Sequence, residues 1–132
     1  MPRAVLSRPI SDENATRLVA RGLPWSEAEF LAEELGVGLS DFAKLTDISE
    51  ATFYRRRRLK RFTPAESDHI MRFGRLWALA VSVFDGPEGA RDWLRTREIS
   101  LQGRVPLEVA MAEAGAHEVE TLLKRIDFGI AS

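Results

Sequence analysis

A chain of 132 residues suffices for one domain or two very small ones, and its apolar and charged fractions are those of a soluble globular protein. It has no cysteine, which excludes disulfides and thiolate chemistry and fits a reducing cytoplasm. No apolar run approaches the length of a membrane span, and the N-terminus lacks the apolar core of a signal peptide. We therefore expect a cytoplasmic protein without a membrane partner.

The charge is unevenly distributed along the chain. Residues 41–65 carry seven Lys/Arg and three Asp/Glu, a net charge of +4, whereas the remaining residues carry a net charge of −5. One basic block on a mildly acidic body indicates two surfaces with different partners.

The N-terminal segment predicts a lead-in of two short helices. Residues 1–10 contain two prolines and no apolar period, which predicts an arm or a frayed end. Ser11 is placed to cap a first helix that Gly22 would end. Ser26 and Glu29 have capping-box spacing at the start of a second helix, whose apolar stripe would brace the segment that follows.

Residues 39–62 predict two short helices joined by a turn, the layout of a helix-turn-helix whose second helix enters the major groove of DNA. Ser40 would cap the first helix, and Asp47 lies in the turn. Ser49 would cap the second helix, in which the helical period turns Phe53 towards the core.

The outward side of that second helix carries the predicted DNA contacts. Arg55 and Arg58 lie opposite the core face, and Thr52 and Tyr54 flank them. Arg55, Thr52 and Glu50 are candidates for contacts with base edges. A solvated basic helix end and a nuclear-localisation signal remain alternative interpretations. The predicted phosphate contacts are Arg56, Arg57, Arg58, Lys60 and Arg61, and Ser49 and Tyr54 complete the candidate DNA-binding set.

The next segment predicts a long buried helix. Thr63 and Glu66 have capping-box spacing around Pro64, which suits the first helical position. Apolar residues then recur at helical spacing over residues 70–84, a stripe broad enough to require burial. Residues 85–88 turn the chain and begin a shorter helix.

The C-terminal part predicts a loop and two helices. Residues 96–106 form the loop, in which Gly103 permits a tight bend. Pro106 would open a helix that Gly115 would stop, and a last helix follows with an apolar stripe over residues 119–130. The stripe of the helix after Pro106 is predicted to be Leu107, Ala110, Met111 and Ala114.

These patterns predict an all-α fold of seven or eight helices, because no stretch alternates as a strand does. The sequence contains no HExxH, GxSxG or glycine-rich phosphate loop, and its two histidines, His69 and His117, lack a metal-spaced partner. We therefore expect a protein that is not an enzyme and that has neither metal nor cofactor.

Four stretches in order resemble the motifs of a known family. They are ATFYRRR at 51–57, FTPAESDHIMR at 62–72, ARDWLRTREISLQGRVPLEVA at 90–110 and AGAHEVETLLKRIDFGI at 114–130. From Leu45 onward the chain thus resembles the Xre/MbcA/ParS-type antitoxins, which partner RES-domain toxins. It departs from the family pattern at Ala51, where a basic residue is common, and at His69, where arginine is usual.

The resemblance implies an antitoxin of a type II toxin–antitoxin system with two modules. The first, residues 1–65, would bind operator DNA through its helix-turn-helix and repress the antitoxin's own operon. The second, residues 66–132, would bind a RES-domain toxin that consumes NAD and would block the toxin's active site. The expected assemblies are a homodimer on a palindromic operator and a larger hetero-oligomer with toxin.

Carried onto this chain, the resemblance places the toxin-facing residues in the turn around Gly103 and at the end of the last helix. Simpler interpretations stay open, because Gly103 and Pro106 suit any loop, and Arg104 could pair with a carboxylate such as Glu108. Phe128 could belong to the core. The candidate toxin-binding residues are Gly103, Arg104, Pro106, Leu107, Arg125, Phe128, Gly129 and Ile130.

Two other functions remain open at this point. The chain could be a stand-alone transcriptional regulator whose C-terminal half dimerises or senses a ligand. It could also be a structural adaptor whose basic run is merely a solvated surface. A neighbouring toxin gene would favour the antitoxin over the regulator, and binding to upstream DNA would exclude the adaptor.

Overall fold

The computed structural model describes residues 4–129, and this part of the chain is helical without any β-strand. Short 3₁₀ turns lie at Val5–Ser7 and Ile99–Leu101. The all-α prediction is therefore confirmed, with eight α-helices in the described residues. They are α1 (Asp12–Arg21), α2 (Trp25–Leu35), α3 (Leu39–Leu45), α4 (Glu50–Leu59), α5 (Pro64–Phe84), α6 (Pro87–Arg95), α7 (Pro106–Val109) and α8 (Glu113–Asp127).

The chain divides into two compact units. Unit 1 extends to Arg75 and unit 2 begins at Leu76, so that the division falls inside α5. The boundary expected from the sequence lies between residues 65 and 66, ten residues before this division. It falls at the start of α5, where the sequence carries a capping signal. No helix within residues 4–129 has the length and apolarity needed to cross a membrane.

Several predicted helix starts are made by the expected side chains. The Ser11 hydroxyl accepts a hydrogen bond from the Asn14 N–H at 3.2 Å, and the Ser49 hydroxyl accepts one from the Thr52 N–H at 3.3 Å. Thr63 caps α5 reciprocally, since its N–H donates to the Glu66 carboxylate at 2.9 Å and its hydroxyl accepts from the Glu66 N–H at 3.2 Å. These caps satisfy N–H groups that the helices cannot pair internally.

Two predicted caps are wrong. Gly38 precedes α3 without a side-chain cap, and Ser40 lies inside the helix, where its hydroxyl donates to the Glu50 carboxylate. Ser26 is likewise inside α2, which begins one residue earlier at Trp25. The Trp25 N–H donates to the Lys60 carbonyl at 3.0 Å, so a tertiary contact rather than a local cap determines where α2 starts.

The N-terminal segment is packed rather than frayed over its described residues. The Glu27 carboxylate is 3% exposed and accepts hydrogen bonds from the N–H groups of Val5 at 3.1 Å and Leu6 at 2.8 Å. Leu6 is buried, and a Cβ added at Gly74 would meet its side chain at 3.1 Å. The prediction of a frayed end is therefore wrong for the turn Val5–Ser7, whereas residues 8–10 form neither helix nor strand, and residues 1–3 lie outside the described range.

An aromatic cluster forms the centre of unit 1. The ring of Phe53 lies 4.7 Å from that of Trp25, 5.6 Å from that of Phe62 and 6.3 Å from that of Phe42, measured between centroids. Phe73 of α5 adds an edge contact to Phe42 at 6.3 Å. Burial of each large apolar side chain contributes about 1.5–3 kcal/mol, so this cluster provides much of the free energy that holds α2 to α5 together.

Unit 2 has its own apolar core, and the boundary between its last two helices differs from the predicted one. The helix that Pro106 opens ends at Val109, and α8 begins at Glu113, so that Gly115 lies inside α8 rather than stopping a helix. A Cβ at Gly115 would overlap the Val109 carbonyl oxygen, which shows how closely α8 crosses the end of α7. Met111 and Ala114, predicted to be buried, are exposed. The most buried residues of unit 2 are Ala80, Ala90, Leu94, Leu101, Ala110, Val119 and Leu123.

Candidate DNA interface and partner-binding surface

The turn between α3 and α4 has the geometry that the sequence predicted. Asp47 adopts φ 56, a left-handed conformation that Asp tolerates better than most residues. The N–H of Ile48 donates to the Ala43 carbonyl at 3.0 Å, and the Ile48 side chain is buried. The buried hydroxyl of Thr46 lies 3.0 Å from both the Phe42 and the Ala43 carbonyl oxygens and donates to them, which satisfies carbonyl groups at the end of α3.

Helix α4 buries Phe53 and presents its opposite side to solvent. Ala51, Arg55 and Arg58 are exposed there, and Thr52 is half-buried beside them. Within residues 4–129, neither Arg55 nor Arg58 has an ion-pair or hydrogen-bond partner. Guanidinium groups held on one exposed helix face without internal partners are suited to bind an anionic duplex.

Arg56 is engaged inside the protein. Its Nε and Nη2 donate to the two Glu66 carboxylate oxygens at 2.7 and 2.8 Å, and the side chains are 16% and 15% exposed. The hydrogen bond from Arg56 lowers the pKa of Glu66 and correspondingly raises that of Arg56, with a further lowering from the Thr63 N–H. We therefore remove Arg56 from the predicted phosphate contacts and regard it as the link between α4 and α5.

This pair predicts an acid-dependent loss of stability. Because the pKa of Glu66 is lower in the folded state, its contribution is full above the unfolded value of about 4.3 and is lost as pH falls through the folded value. Glu66→Gln should cost about 1–3 kcal/mol at pH 7. Urea unfolding at pH 7 and pH 3 should show the wild type converging on the variant in acid. If the difference in unfolding free energy between the wild type and Glu66→Gln stayed constant with pH, the stabilising role of the Arg56–Glu66 pair would be contradicted.

Four other candidate residues of the basic block are partly fixed by contacts. The Arg57 guanidinium carbon lies 5.1 Å from the Tyr54 ring centroid and 5.8 Å from that of Trp25. Arg61 donates to the Gly22 carbonyl, and Lys60 ends α4 in a left-handed conformation with φ 64. Cation–π contacts and one hydrogen bond orient these charges while leaving donors available for phosphate.

Two polar candidates at the start of α4 already have partners. The Ser49 hydroxyl caps α4, and the Glu50 carboxylate accepts a hydrogen bond from Ser40. Glu50 is thus already engaged, whereas Arg55, another of the base-edge candidates, is exposed on α4.

A second candidate surface lies in unit 2, in the loop between α6 and α7. The Glu98 carboxylate accepts from the Trp93 indole N–H and from the Ser100 N–H, both at 3.1 Å. The Glu98 N–H donates to the Arg104 carbonyl at 3.1 Å, and the Gly103 N–H donates to the Glu98 carbonyl at 2.9 Å. These bonds close the loop, and Leu101 anchors it in the core. At its tip Ile99 is 91% exposed. The loop therefore holds a large apolar side chain in water at a fixed position.

Sequence reasoning did not single out Ile99. Its only signal was an isoleucine in a polar loop, which is not unusual on a protein surface. What distinguishes it is the set of hydrogen bonds around it, which only the fold reveals.

The candidates in the predicted turn differ in accessibility. Gly103 adopts φ 77, as its predicted bend requires. Arg104 pairs with Glu118 at 3.1 Å rather than with Glu108, and its side chain remains 49% exposed. Pro106 and Leu107 are buried, so their prediction as direct toxin contacts is corrected to a role in the core of unit 2.

The remaining candidates lie at the end of α8. Arg125 lies two helical turns beyond Glu118 on the same face, a distance of about 10 Å along the axis. Phe128 is 76% exposed at the C-cap, and Gly129 follows at φ 70. Ile130, the last predicted contact, lies outside the described residues.

Comparison with known proteins assigns each unit to a family. Residues 15–75 match the Antitoxin Xre-like helix-turn-helix domain, and residues 79–129 match the Antitoxin Xre/MbcA/ParS C-terminal toxin-binding domain. An Antitoxin Xre from Yersinia enterocolitica is 33% identical over 129 residues, covering 84% of this chain and 87% of the relative.

The chain belongs to the Xre/MbcA/ParS-type antitoxins. A second similar protein, an Antitoxin Xre from Photorhabdus laumondii, is 29% identical and covers 92% of this chain and 84% of the relative. The two matched domains indicate DNA and a toxin as partners of the antitoxin. Its family is one of regulators rather than enzymes. His69 Nδ1 lies 2.8 Å from the Thr46 carbonyl oxygen, within hydrogen-bonding distance.

Proposed function

We propose that this antitoxin represses its own operon through unit 1 and inhibits a RES-domain toxin through unit 2. The observation that carries the proposal is the combination, in one chain, of a helix-turn-helix whose outward Arg55 and Arg58 have no partner among residues 4–129 and a family toxin-binding domain. The antitoxin would then be both the repressor and the inhibitor. Binding of free toxin to the antitoxin would therefore change the repression of the operon.

In the proposed DNA complex, α4 lies in the major groove with Arg55 and Thr52 at base edges. Arg57, Arg58, Lys60 and Arg61 bind phosphates, which supply affinity and salt dependence but no sequence preference. A single helix of this length reads few base pairs. A homodimer that spaces two such helices by about 34–36 Å would read a palindromic operator.

In the proposed toxin complex, the Ile99 loop and the end of α8 contact the toxin. Ile99 and Phe128 offer apolar anchors of the kind that dominate binding energies, and Arg125, three residues before Phe128, offers a charge. The loop's hydrogen bonds reduce the entropy lost on binding. Occupation of the toxin's NAD site by this surface would exclude its substrate and account for inhibition.

Binding to the DNA upstream of the antitoxin gene tests the DNA-binding part. Arg55→Ala should cost about 1–3 kcal/mol in discrimination between operator and unrelated DNA. Arg58→Ala should weaken binding to both DNAs alike and reduce the salt slope by about 1. Fluorescence anisotropy with labelled duplexes at several salt concentrations measures both quantities.

Arg95→Ala is the matched control, because Arg95 is an exposed arginine near the end of α6 in unit 2. It should bind DNA like the wild type. If Arg95→Ala lost as much operator binding as Arg55→Ala, net charge alone, and not the position of the charge on α4, would determine the affinity for DNA.

A further inference from the structure

Unit 1 contains a basic cavity away from α4, between the N-terminal segment and α1. Its volume is about 490 Å³. Among residues 4–129, three arginines and no acidic residue line it, and the remainder of the wall is mostly apolar. The lining residues that matter here are Arg8, Arg17, Arg21, Val5, Ile10 and Leu18.

The positive charge in this cavity is largely unneutralised. Arg17 and Arg21 lie four residues apart on α1, so their guanidinium groups share one helix face, an arrangement that destabilises a helix unless an anion binds. Arg17 donates to Glu13 and to Asn14, each at 3.2 Å, in an exposed pair. In the part of the chain that the structure describes, Arg8 and Arg21 have no carboxylate partner.

The walls of the cavity are held in place by the fold. The buried Glu27 carboxylate binds the N–H groups of Val5 and Leu6, which fixes the segment leading to Arg8. Ser11 caps α1 and so stabilises the helix that carries Arg17 and Arg21. The backbone beside these arginines is therefore held by the fold, and their exposed guanidinium groups are suited to bind an oxyanion.

The residue that follows Arg21 contacts the basic end of α4. Arg21 precedes Gly22, whose carbonyl accepts a hydrogen bond from Arg61. A Cβ added at Gly22 would lie 3.4 Å from the Arg61 side chain, and Pro24 pairs with Arg61 as an isolated bridge. Arg21, which lines the cavity, is therefore one residue away from the backbone that Arg61 contacts at the basic end of α4.

We propose that this cavity is a second DNA contact, which binds backbone phosphate of the duplex flanking the base pairs read by α4. This inference rests on the proposed DNA-binding function. The guanidinium groups of Arg8 and Arg21 pair with phosphate oxygens, and the apolar wall at Val5, Ile10 and Leu18 packs against deoxyribose. The contact extends the footprint of each antitoxin subunit and adds affinity without sequence preference.

The test compares the double variant Arg8→Gln/Arg21→Gln with Arg95→Gln/Lys124→Gln, a control that removes two exposed charges from unit 2. On a long operator duplex the first variant should bind operator and unrelated DNA more weakly by the same factor. Its salt slope should fall by about 2, since each lost phosphate contact contributes about 0.9. The control should match the wild type, and Arg8→Lys/Arg21→Lys should restore the slope.

On a duplex trimmed to the base pairs read by α4, the first variant and the wild type should bind equally. If the wild type binds the operator and Arg8→Gln/Arg21→Gln has the same salt slope as the wild type on the long duplex, this inference is overturned and the proposed function stays intact. Failure of the wild type to bind any upstream DNA overturns both. A third result would also overturn this inference: the wild type binds ATP or inorganic phosphate saturably, Arg8→Gln/Arg21→Gln abolishes this binding, and the salt slope for DNA is unchanged. That result would assign the cavity to a free phosphate compound instead.

Discussion

Replacing Phe53 with alanine should destabilise unit 1 by about 3–5 kcal/mol, the range seen when a buried phenylalanine is truncated. Phe53 is fully buried and contacts four aromatic rings, so its removal leaves a cavity that rigid neighbours cannot fill. Urea unfolding monitored by tryptophan fluorescence and by circular dichroism measures the loss. Trp25, in the same cluster, reports directly on unit 1.

Leu59→Ala is the matched control for Phe53→Ala, because Leu59 is a large apolar residue of the same helix but 61% exposed. It should change the free energy of unfolding by no more than about 0.5 kcal/mol. DNA binding should follow stability, since α4 is held against α2 and α3 through Phe53. A loss below about 1 kcal/mol for Phe53→Ala would contradict the role given to the aromatic cluster.

The second large effect is expected at Gly115 in α8. A Cβ there would lie 2.8 Å from the Val109 carbonyl carbon and closer still to its oxygen, so Gly115→Ala must push α8 away from the end of α7. Overpacking of this kind typically costs about 1–3 kcal/mol, and more where backbone must move. Urea unfolding followed by far-ultraviolet circular dichroism measures the cost.

Ala114→Ser, one residue earlier and exposed, is the control for Gly115→Ala. It should stay within about 0.5 kcal/mol of the wild type. Toxin binding should weaken in Gly115→Ala, because a displaced α8 moves Arg125 and Phe128. Equal stability of the two variants would show that α7 and α8 do not cross as closely as described.

The local signals in the sequence predicted the structure well where a side chain acts on its own backbone. The caps at Ser11, Ser49 and Thr63 and the turn at Asp47 belong to this class. The inward side of α4 followed equally directly from helical periodicity, because a helix exposes or buries residues according to their spacing alone.

The errors arose where a distant segment decides the outcome. The start of α2 depends on the hydrogen bond from Trp25 to Lys60, which the Ser26 spacing cannot reveal. Gly115 looked like a helix stop but is needed for the close passage of α8 over Val109. Glycine has both uses, and a single sequence does not distinguish them.

The candidate DNA site was more predictable than the partner-binding surface. Outward arginines on a capped helix are visible in the sequence, although the pairing of Arg56 with Glu66 is not. The exposure of Ile99 depends on a loop closed by bonds from Glu98 and Arg104, and therefore became visible only in the folded chain.

The central claim is that the DNA-binding and toxin-binding surfaces are separate, and growth of cells expressing a RES-domain toxin encoded beside the antitoxin tests it most directly. The double variant Ile99→Asp/Phe128→Asp changes two exposed side chains and should fail to protect these cells, although it still binds operator DNA. Arg55→Ala/Arg58→Ala should protect fully while operator binding is lost. Full protection by Ile99→Asp/Phe128→Asp, or lost protection in Arg55→Ala/Arg58→Ala at equal protein levels, would contradict the account.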